Sequence, residues 1–88
     1  MGTYIGRIKT VSKNEDYAFI DYRTVERSDG DQEDWIEDLH SDLFLHINEN
    51  GMLRKNLIEA EGREISFEVD LNNTRRSGSP KIYNAMTL

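Results

Sequence analysis

Hydrophobic and polar residues alternate most regularly between Arg63 and Leu71. In this segment Ile65, Phe67 and Val69 are separated by polar or charged residues. Because the side chains of a β-strand point alternately to opposite faces, the pattern predicts a strand with one buried face and one solvated face. Other apolar runs, each bounded by polar or glycine-containing turns, predict further strands, which are Tyr4–Val11, Tyr17–Thr24, Leu43–Ile47 and Lys81–Leu88.

Five short strands in a chain of 88 residues indicate a single all-β domain spanning residues 1–88. A small barrel or a sandwich accommodates five such strands, and a barrel suits a core this limited, because a sheet closed on itself leaves few unpaired edges. The segment Met52–Glu61 predicts one or two helical turns that end at Gly62.

Composition limits the chemistry available to this chain. It has no cysteine and only two histidines, which excludes disulfides and thiolate metal sites. The cluster Asp29–Asp34 does not fit a calcium loop, because such a loop needs glycine at its sixth position, where Asp34 stands. We therefore expect no cofactor, no metal and no enzymatic activity. No apolar run is long enough for a signal peptide or a membrane span, so we expect a cytoplasmic protein.

The net charge of −6 is concentrated in one segment, residues 25–42. This segment contains eight acidic residues against one basic residue, Arg27, which gives it −7 and leaves +1 for the rest of the chain. A connection of this length is usually functional or disordered. Within it, Asp31 is the expected N-cap of a short helix that places Trp35, Ile36 and Leu39 on one side. Trp35 is interpreted as the hydrophobic anchor of this insertion.

The second and third predicted strands carry aromatic residues on their outward faces. Alternation places Tyr17 and Phe19 opposite Ala18 and Ile20, and it places Phe44 and His46 opposite Leu43 and Leu45. If these strands pair, the four rings meet on the sheet surface, where single-strand binders stack bases. A slip of one residue would instead bury the aromatic residues as core. The basic residues available for phosphate contacts are Arg7, Lys9, Lys13, Arg75 and Arg76.

Five segments, in order along the chain, resemble the cold-shock domain family. Gly6–Lys9 (GRIK) resembles its opening Gly-x-Val-Lys. Glu15–Ile20 (EDYAFI) resembles its first ribonucleoprotein motif, Lys-Gly-Phe-Gly-Phe-Ile, and Asp42–Ile47 (DLFLHI) resembles its second, Asp-Val-Phe-Val-His-Phe. Glu61–Val69 and Ser79–Ala85 are similar to the two closing segments of that family. The resemblance implies an all-β, five-stranded antiparallel OB-fold barrel of the cold-shock type. It also implies that Tyr17, Phe19, Phe44 and His46 stack bases and that Lys9 contacts the nucleic-acid backbone.

The chain also departs from that family at positions where the family contacts nucleic acid. Thr10 and Val11 stand where the family has Trp and Phe, and Glu15 and Asp16 replace the Lys-Gly that opens the first motif. Ile47 replaces the last aromatic residue of the second motif, and no aromatic residue occurs between Asn48 and Glu61. The resemblance therefore implies the fold more strongly than it implies tight binding.

We expect the chain to bind single-stranded RNA or DNA by stacking, with little sequence specificity, as an RNA chaperone or a regulator of gene expression. The alternative is a protein-interaction module in which the acidic insertion docks a basic protein. A further hypothesis is that the insertion folds back, bringing Trp35 near the aromatic rings and its carboxylates near the basic residues.

Overall fold

The computed structural model describes residues 3–30, 33–74 and 79–88. Within these ranges the chain contains six strands, three short α-helices and one turn of 3₁₀-helix. In chain order they are β1 (Tyr4–Val11), β2 (Tyr17–Ile20), the 3₁₀ turn (Tyr22–Thr24), β3 (Glu26–Arg27), α1 (Asp34–Glu37), β4 (Leu43–His46), α2 (Ile47–Asn50), α3 (Arg54–Glu59), β5 (Glu64–Thr74) and β6 (Pro80–Thr87).

The strands form one antiparallel sheet in the order β4-β2-β1-β5-β6, with β3 paired to the start of β1. The antiparallel β fold is thus confirmed, and each predicted strand has a counterpart. The prediction of five strands closed into a barrel differs from the structure, because the described residues form six strands and the sheet is not closed. β4 ends at His46, where Ile47 begins α2 instead of extending the strand. Between the two ends of the strand order, β4 and β6, the Asn50 side-chain oxygen of α2 accepts a hydrogen bond from the Ala85 N–H of β6 at 3.0 Å.

The second strand is shorter than the sequence predicts. The predicted segment ran to Thr24, but β2 ends at Ile20 and the chain then turns. The Asp21 side chain accepts a hydrogen bond from the Arg23 backbone N–H at 3.0 Å. This local bond caps the 3₁₀ turn and competes with continuation of the strand.

The core lies on the inner face of the sheet and is closed at one end by α3. The chain packs closely at Gly6, because a Cβ there would lie 2.7 Å from Cγ2 of Ile20. Helix α3, which lies in the segment predicted to form one or two helical turns, contributes the buried Leu57. Each fully buried Leu, Ile or Phe contributes about 1.5–3 kcal/mol of transfer free energy. The largest such residues are Phe67, Ile8, Ile20, Leu43, Leu45, Leu57, Ile65 and Ile82.

The acidic insertion contains a strand and a helix of its own. β3 pairs with Tyr4 and Ile5 of β1, so the beginning of the insertion belongs to the sheet. The predicted N-cap, Asp31, is wrong: α1 starts after Glu33, which occupies the N-cap position in extended backbone without a side-chain capping bond. The reason is that the Glu33 carboxylate binds other donors. Asp31 itself lies outside the described residues.

No helix within the described ranges is long and apolar enough to cross a membrane.

Candidate functional site

The outer face of β2 and β4 carries the four aromatic residues singled out from the sequence. Tyr17 pairs with His46 and Phe19 pairs with Phe44 across the two strands. The alternate residues of β2 and β4 point inward and are fully buried; these are Ala18, Ile20, Leu43 and Leu45. The four rings therefore point outward, and they are half-buried. The register is therefore the one predicted, since the alternative slip would have buried the rings.

The four rings form a continuous cluster, which we call the aromatic platform (Tyr17, Phe19, Phe44 and His46). The centroid distances are 5.2 Å between Phe19 and Phe44 and 5.4 Å between Tyr17 and Phe19. Tyr17 and His46 lie nearly parallel at 5.3 Å, with 26° between their planes. Tyr17 and Phe44 are 6.1 Å apart. Because each ring is supported by its neighbours, little side-chain entropy remains to be lost when a flat ligand stacks on them.

Lys9 lies beside the platform, at an irregularity of β1 between Ile8 and Thr10. Its Nζ is 3.4 Å from Oδ2 of Asp42, the last residue of the insertion. The Asp42 carboxylate is held in place because its other oxygen accepts a hydrogen bond from the Tyr22 N–H at 3.2 Å. The lysine side chain is 51% exposed and the aspartate 19% exposed. Lys9 can therefore reach a phosphate, but only in competition with Asp42.

The turn between β1 and β2 carries Lys13 and two acidic residues. Lys13 is exposed. The Ser12 hydroxyl donates to Oδ1 of Asp16 at 3.1 Å, and Ser12 N–H donates to the Tyr17 carbonyl at 2.8 Å. Glu15 adopts a left-handed backbone with φ of 59°. The charges around the platform are thus mixed: Lys9 and Lys13 lie among Glu15, Asp16 and Asp42.

The other predicted basic contacts lie elsewhere. Arg7 is 3.5 Å from Glu64 and donates to the Gly62 carbonyl at 2.9 Å, so it faces β5 and the chain after α3. Arg75 and Arg76 lie outside the described residues, and the structure gives no account of them.

Glu33 fastens the insertion to the sheet, a role that the sequence did not indicate. Its carboxylate accepts hydrogen bonds from the Tyr4 hydroxyl, from Trp35 Nε1 at 2.6 Å and from Arg27 Nη1 at 2.8 Å. Arg27 Nε lies 3.1 Å from Oδ2 of Asp29. We call Tyr4, Arg27, Glu33 and Trp35 the Glu33 clamp.

The clamp shifts the pKa values of its members. The hydrogen bond from the Tyr4 hydroxyl, together with that from Trp35 and the charge of Arg27, holds the pKa of the Glu33 carboxyl below its ordinary value. Burial, reinforced by the hydrogen bond to Glu33, raises the pKa of Tyr4. At neutral pH the carboxylate is therefore charged and the phenol is protonated, which is the combination that the hydrogen bond needs.

Trp35 packs against the core side of the sheet and not on the platform. Its ring meets Tyr4 edge-on at a centroid distance of 5.2 Å, and Tyr4 in turn stacks on Phe67 at 6.2 Å. Trp35 is partly buried against the hydrophobic core, which is where an anchor of the insertion would lie. The hypothesis that the insertion folds back with Trp35 beside the platform is therefore wrong. Among the carboxylates of the insertion that the structure describes, Asp42 contacts Lys9.

Within the described ranges, no group of three or more His, Asp or Glu side chains is arranged to hold a metal ion. The platform presents apolar ring faces and one imidazole, with the ammonium groups of Lys9 and Lys13 nearby.

The chain matches no protein-family model, no curated protein sequence and no solved structure.

Proposed function

We propose that the chain binds single-stranded nucleic acid, RNA or DNA, by stacking bases on the aromatic platform of a cold-shock-like OB fold. The observation that carries the proposal is the contact of Tyr17, Phe19, Phe44 and His46 on the outer face of two paired strands. Every base has an aromatic face, so stacking discriminates little between sequences. Binding of this kind suits an RNA chaperone or a general regulator of gene expression.

The order of the strands supports the OB assignment. With the short β3 set aside, the strands lie in the order third, second, first, fourth and fifth. OB folds are partly open five-stranded barrels that bind oligonucleotides on the face of strands two and three, flanked by the loops between strands one and two and between strands four and five. The platform lies on the second and third strands counted in this way, and Lys13 lies in the first of these loops.

The mixed charge around the platform limits the affinity that we propose. Stacking contributes about 1–3 kcal/mol per base, and two pairs of rings accommodate two or three bases. Lys9 adds little until it leaves Asp42. Two or three bases give about 2–9 kcal/mol in total, and the middle of that range, about 4–7 kcal/mol, corresponds to dissociation constants from roughly millimolar to roughly ten micromolar.

The test is an amide chemical-shift titration of the full chain with short oligo-U and oligo-dT at low salt. We expect shifts centred on Lys9, Tyr17, Phe19, Phe44 and His46, and comparison of the two ligands ranks RNA against DNA. Phe44→Ser should weaken binding about 5- to 150-fold, which corresponds to one lost stacking contact. Leu53→Ser is the matched control, because Leu53 is 61% exposed and lies in the chain before α3. Absence of shifts at the platform with millimolar ligand would show that this face does not bind nucleic acid.

A further inference from the structure

A groove runs between the insertion and the β5–β6 hairpin, with a volume of about 360 Å³. Its apolar lining comes from Trp35 and Leu39 on the insertion and from Leu71 and Pro80 on the hairpin. Trp35 and Leu39 are four residues apart, so they project from the same side of the α1 turn. The groove is therefore built from two separate parts of the chain.

The apolar face of β5 continues into this groove beyond the end of the core. Ile65, Phe67 and Val69 alternate along the inner face, and Leu71 is the next residue in that series. The first two are fully buried, whereas Leu71 is 51% exposed. Beyond Asp70, where the pairing with β6 becomes irregular, the strand thus presents a half-exposed apolar side chain to the groove.

The groove has a fixed shape because the Glu33 clamp fastens its insertion wall to β1. Trp35 is held at both ends, by its Nε1 hydrogen bond to Glu33 at 2.6 Å and by its ring contact with Tyr4. A wall of this kind needs little ordering when a ligand binds, which lowers the entropic cost of association.

The rim of the groove is acidic. Asp38 lines it, and Asp34 lies one helical turn before Asp38 on the same side of α1. Asp34 and Asp38 are exposed, and neither forms an ion pair within the described part of the chain. The described charge at the rim is therefore negative, which disfavours both a nucleic acid and a second copy of this chain, with its own net charge of −6.

We propose that this groove docks a basic, amphipathic segment of a partner protein, with apolar side chains on Trp35, Leu39 and Leu71 and Lys or Arg beside the acidic rim. Apolar contact supplies the affinity, and the carboxylates select a cationic partner and speed its association. The inference is independent of the nucleic-acid function, because the groove and the platform share no residue.

Trp35 provides a direct readout, since it is the one tryptophan in the sequence. The experiment follows Trp35 emission of the full chain during titration with a short synthetic peptide of alternating Lys and Leu. A Lys/Ser peptide and a Glu/Leu peptide of the same length are the ligand controls. We expect a saturable change in Trp35 emission with the Lys/Leu peptide, and we expect added salt to weaken this binding. Neither control peptide should give a saturable change.

Two variants locate the binding. Leu71→Ser should lower the affinity for the Lys/Leu peptide about 3- to 10-fold, because apolar contact is lost. Asp38→Asn should lower this affinity about 2- to 5-fold, because one exposed charge is lost. Leu53→Ser and Glu59→Gln are the matched controls, because both residues are exposed and lie outside the groove.

Three results would overturn the inference. They are no change in Trp35 emission at millimolar Lys/Leu peptide, equal weakening by Leu71→Ser and Leu53→Ser, and a response of Trp35 to oligo-dT like its response to the peptide. The last would place nucleic acid, not a protein segment, in the groove. Failure of the proposed function is seen separately, as silence at the platform in the nucleic-acid titration.

Discussion

Replacing Glu33 by Ala removes the acceptor that three donors share. The Tyr4 hydroxyl, Trp35 Nε1 and Arg27 Nη1 all lose their partner at once. A hydrogen bond to a charged group is worth about 1.5–3 kcal/mol net, and bonds to one carboxylate are not additive. We expect Glu33→Ala to lower the free energy of unfolding by about 2–4 kcal/mol, and the melting temperature by roughly 10–30 °C in a domain of this size.

The assay is urea unfolding followed by far-ultraviolet circular dichroism and, in parallel, by Trp35 emission. The two probes distinguish unfolding of the whole sheet from release of the insertion alone. If the clamp only fastens the insertion, Trp35 responds at lower urea than the circular dichroism signal. If the clamp contributes to the whole fold, the two transitions coincide at a lower midpoint.

Two variants control this measurement. Glu33→Gln keeps an oxygen that accepts a hydrogen bond from the Tyr4 hydroxyl but loses the charge facing Arg27. Its decrease in the free energy of unfolding should therefore lie between zero and that of Glu33→Ala. Glu37→Ala removes an exposed carboxylate on the same insertion and should change the free energy of unfolding by less than about 0.5 kcal/mol. A Glu33→Ala loss no larger than that of Glu37→Ala, with both probes, would refute the role given to the clamp.

Three further outcomes follow from the structure. Gly6→Ala should lower the free energy of unfolding by about 1–3 kcal/mol in the same urea assay, because its Cβ would lie 2.7 Å from Cγ2 of Ile20 and 3.3 Å from Cε1 of Phe67; an unchanged midpoint would contradict this packing. Asp42→Asn should free Lys9 for a phosphate and steepen the slope of log affinity for oligo-dT against log salt by about 0.7, the value for one single-strand phosphate contact, whereas an unchanged slope would mean that Lys9 does not contact the ligand. Hydrogen bonding by Tyr4 lowers the pKa of Glu33 in the folded state, so the stability that the Glu33 carboxylate contributes is present above the ordinary glutamate pKa and is lost as pH falls through the folded pKa. The free energy of unfolding should therefore fall less with acidification in Glu33→Gln than in the unchanged chain. Equal pH profiles of the two proteins would contradict the shift.

The register of the aromatic residues could be predicted because it depends on local alternation. A strand with Ala18 and Ile20 on one side and Tyr17 and Phe19 on the other has one face that suits a core, and the same holds for β4. Since a slip of one residue would exchange the faces, the sequence specifies the register once one face is buried. The structure shows this pairing, with Phe19 opposite Phe44.

The ends of the elements depend on hydrogen bonds that the local pattern does not reveal. Ile47 is apolar and continues the predicted strand, but its N–H donates to the Asp16 carbonyl at 3.1 Å while Asn50 Nδ2 donates to the His46 carbonyl at 2.9 Å. The second bond favours a helical turn at Ile47, and the first supplies an acceptor for an N–H that has no partner within a helix beginning there. Because Asp16 is far from Ile47 in sequence, a local window of the sequence does not show that this N–H is satisfied.

The Glu33 clamp could not be predicted for the same reason. Tyr4 and Glu33 are 29 residues apart, and they meet only because β3 pairs with the start of β1. In the sequence, Glu33 is one carboxylate among eight, and nothing in its neighbours distinguishes it from Asp34 or Glu37. What the sequence does contain is the apolar pair Trp35 and Leu39, which marks the insertion as a packed segment.

The position of the clamp determines where the charge of the insertion acts. If the insertion were loose, its carboxylates would sample the whole surface and oppose a polyanion at the platform. Held at Tyr4, it keeps Asp34 and Asp38 beside the groove, and among its described carboxylates Asp42 reaches Lys9. The cost to nucleic-acid binding is then one ion pair at the edge of the platform, whereas the benefit to a basic partner is a fixed acidic rim. A chain of net charge −6 can therefore present the proposed surface for stacking bases and the proposed surface for a cationic segment, because the groove and the platform share no residue.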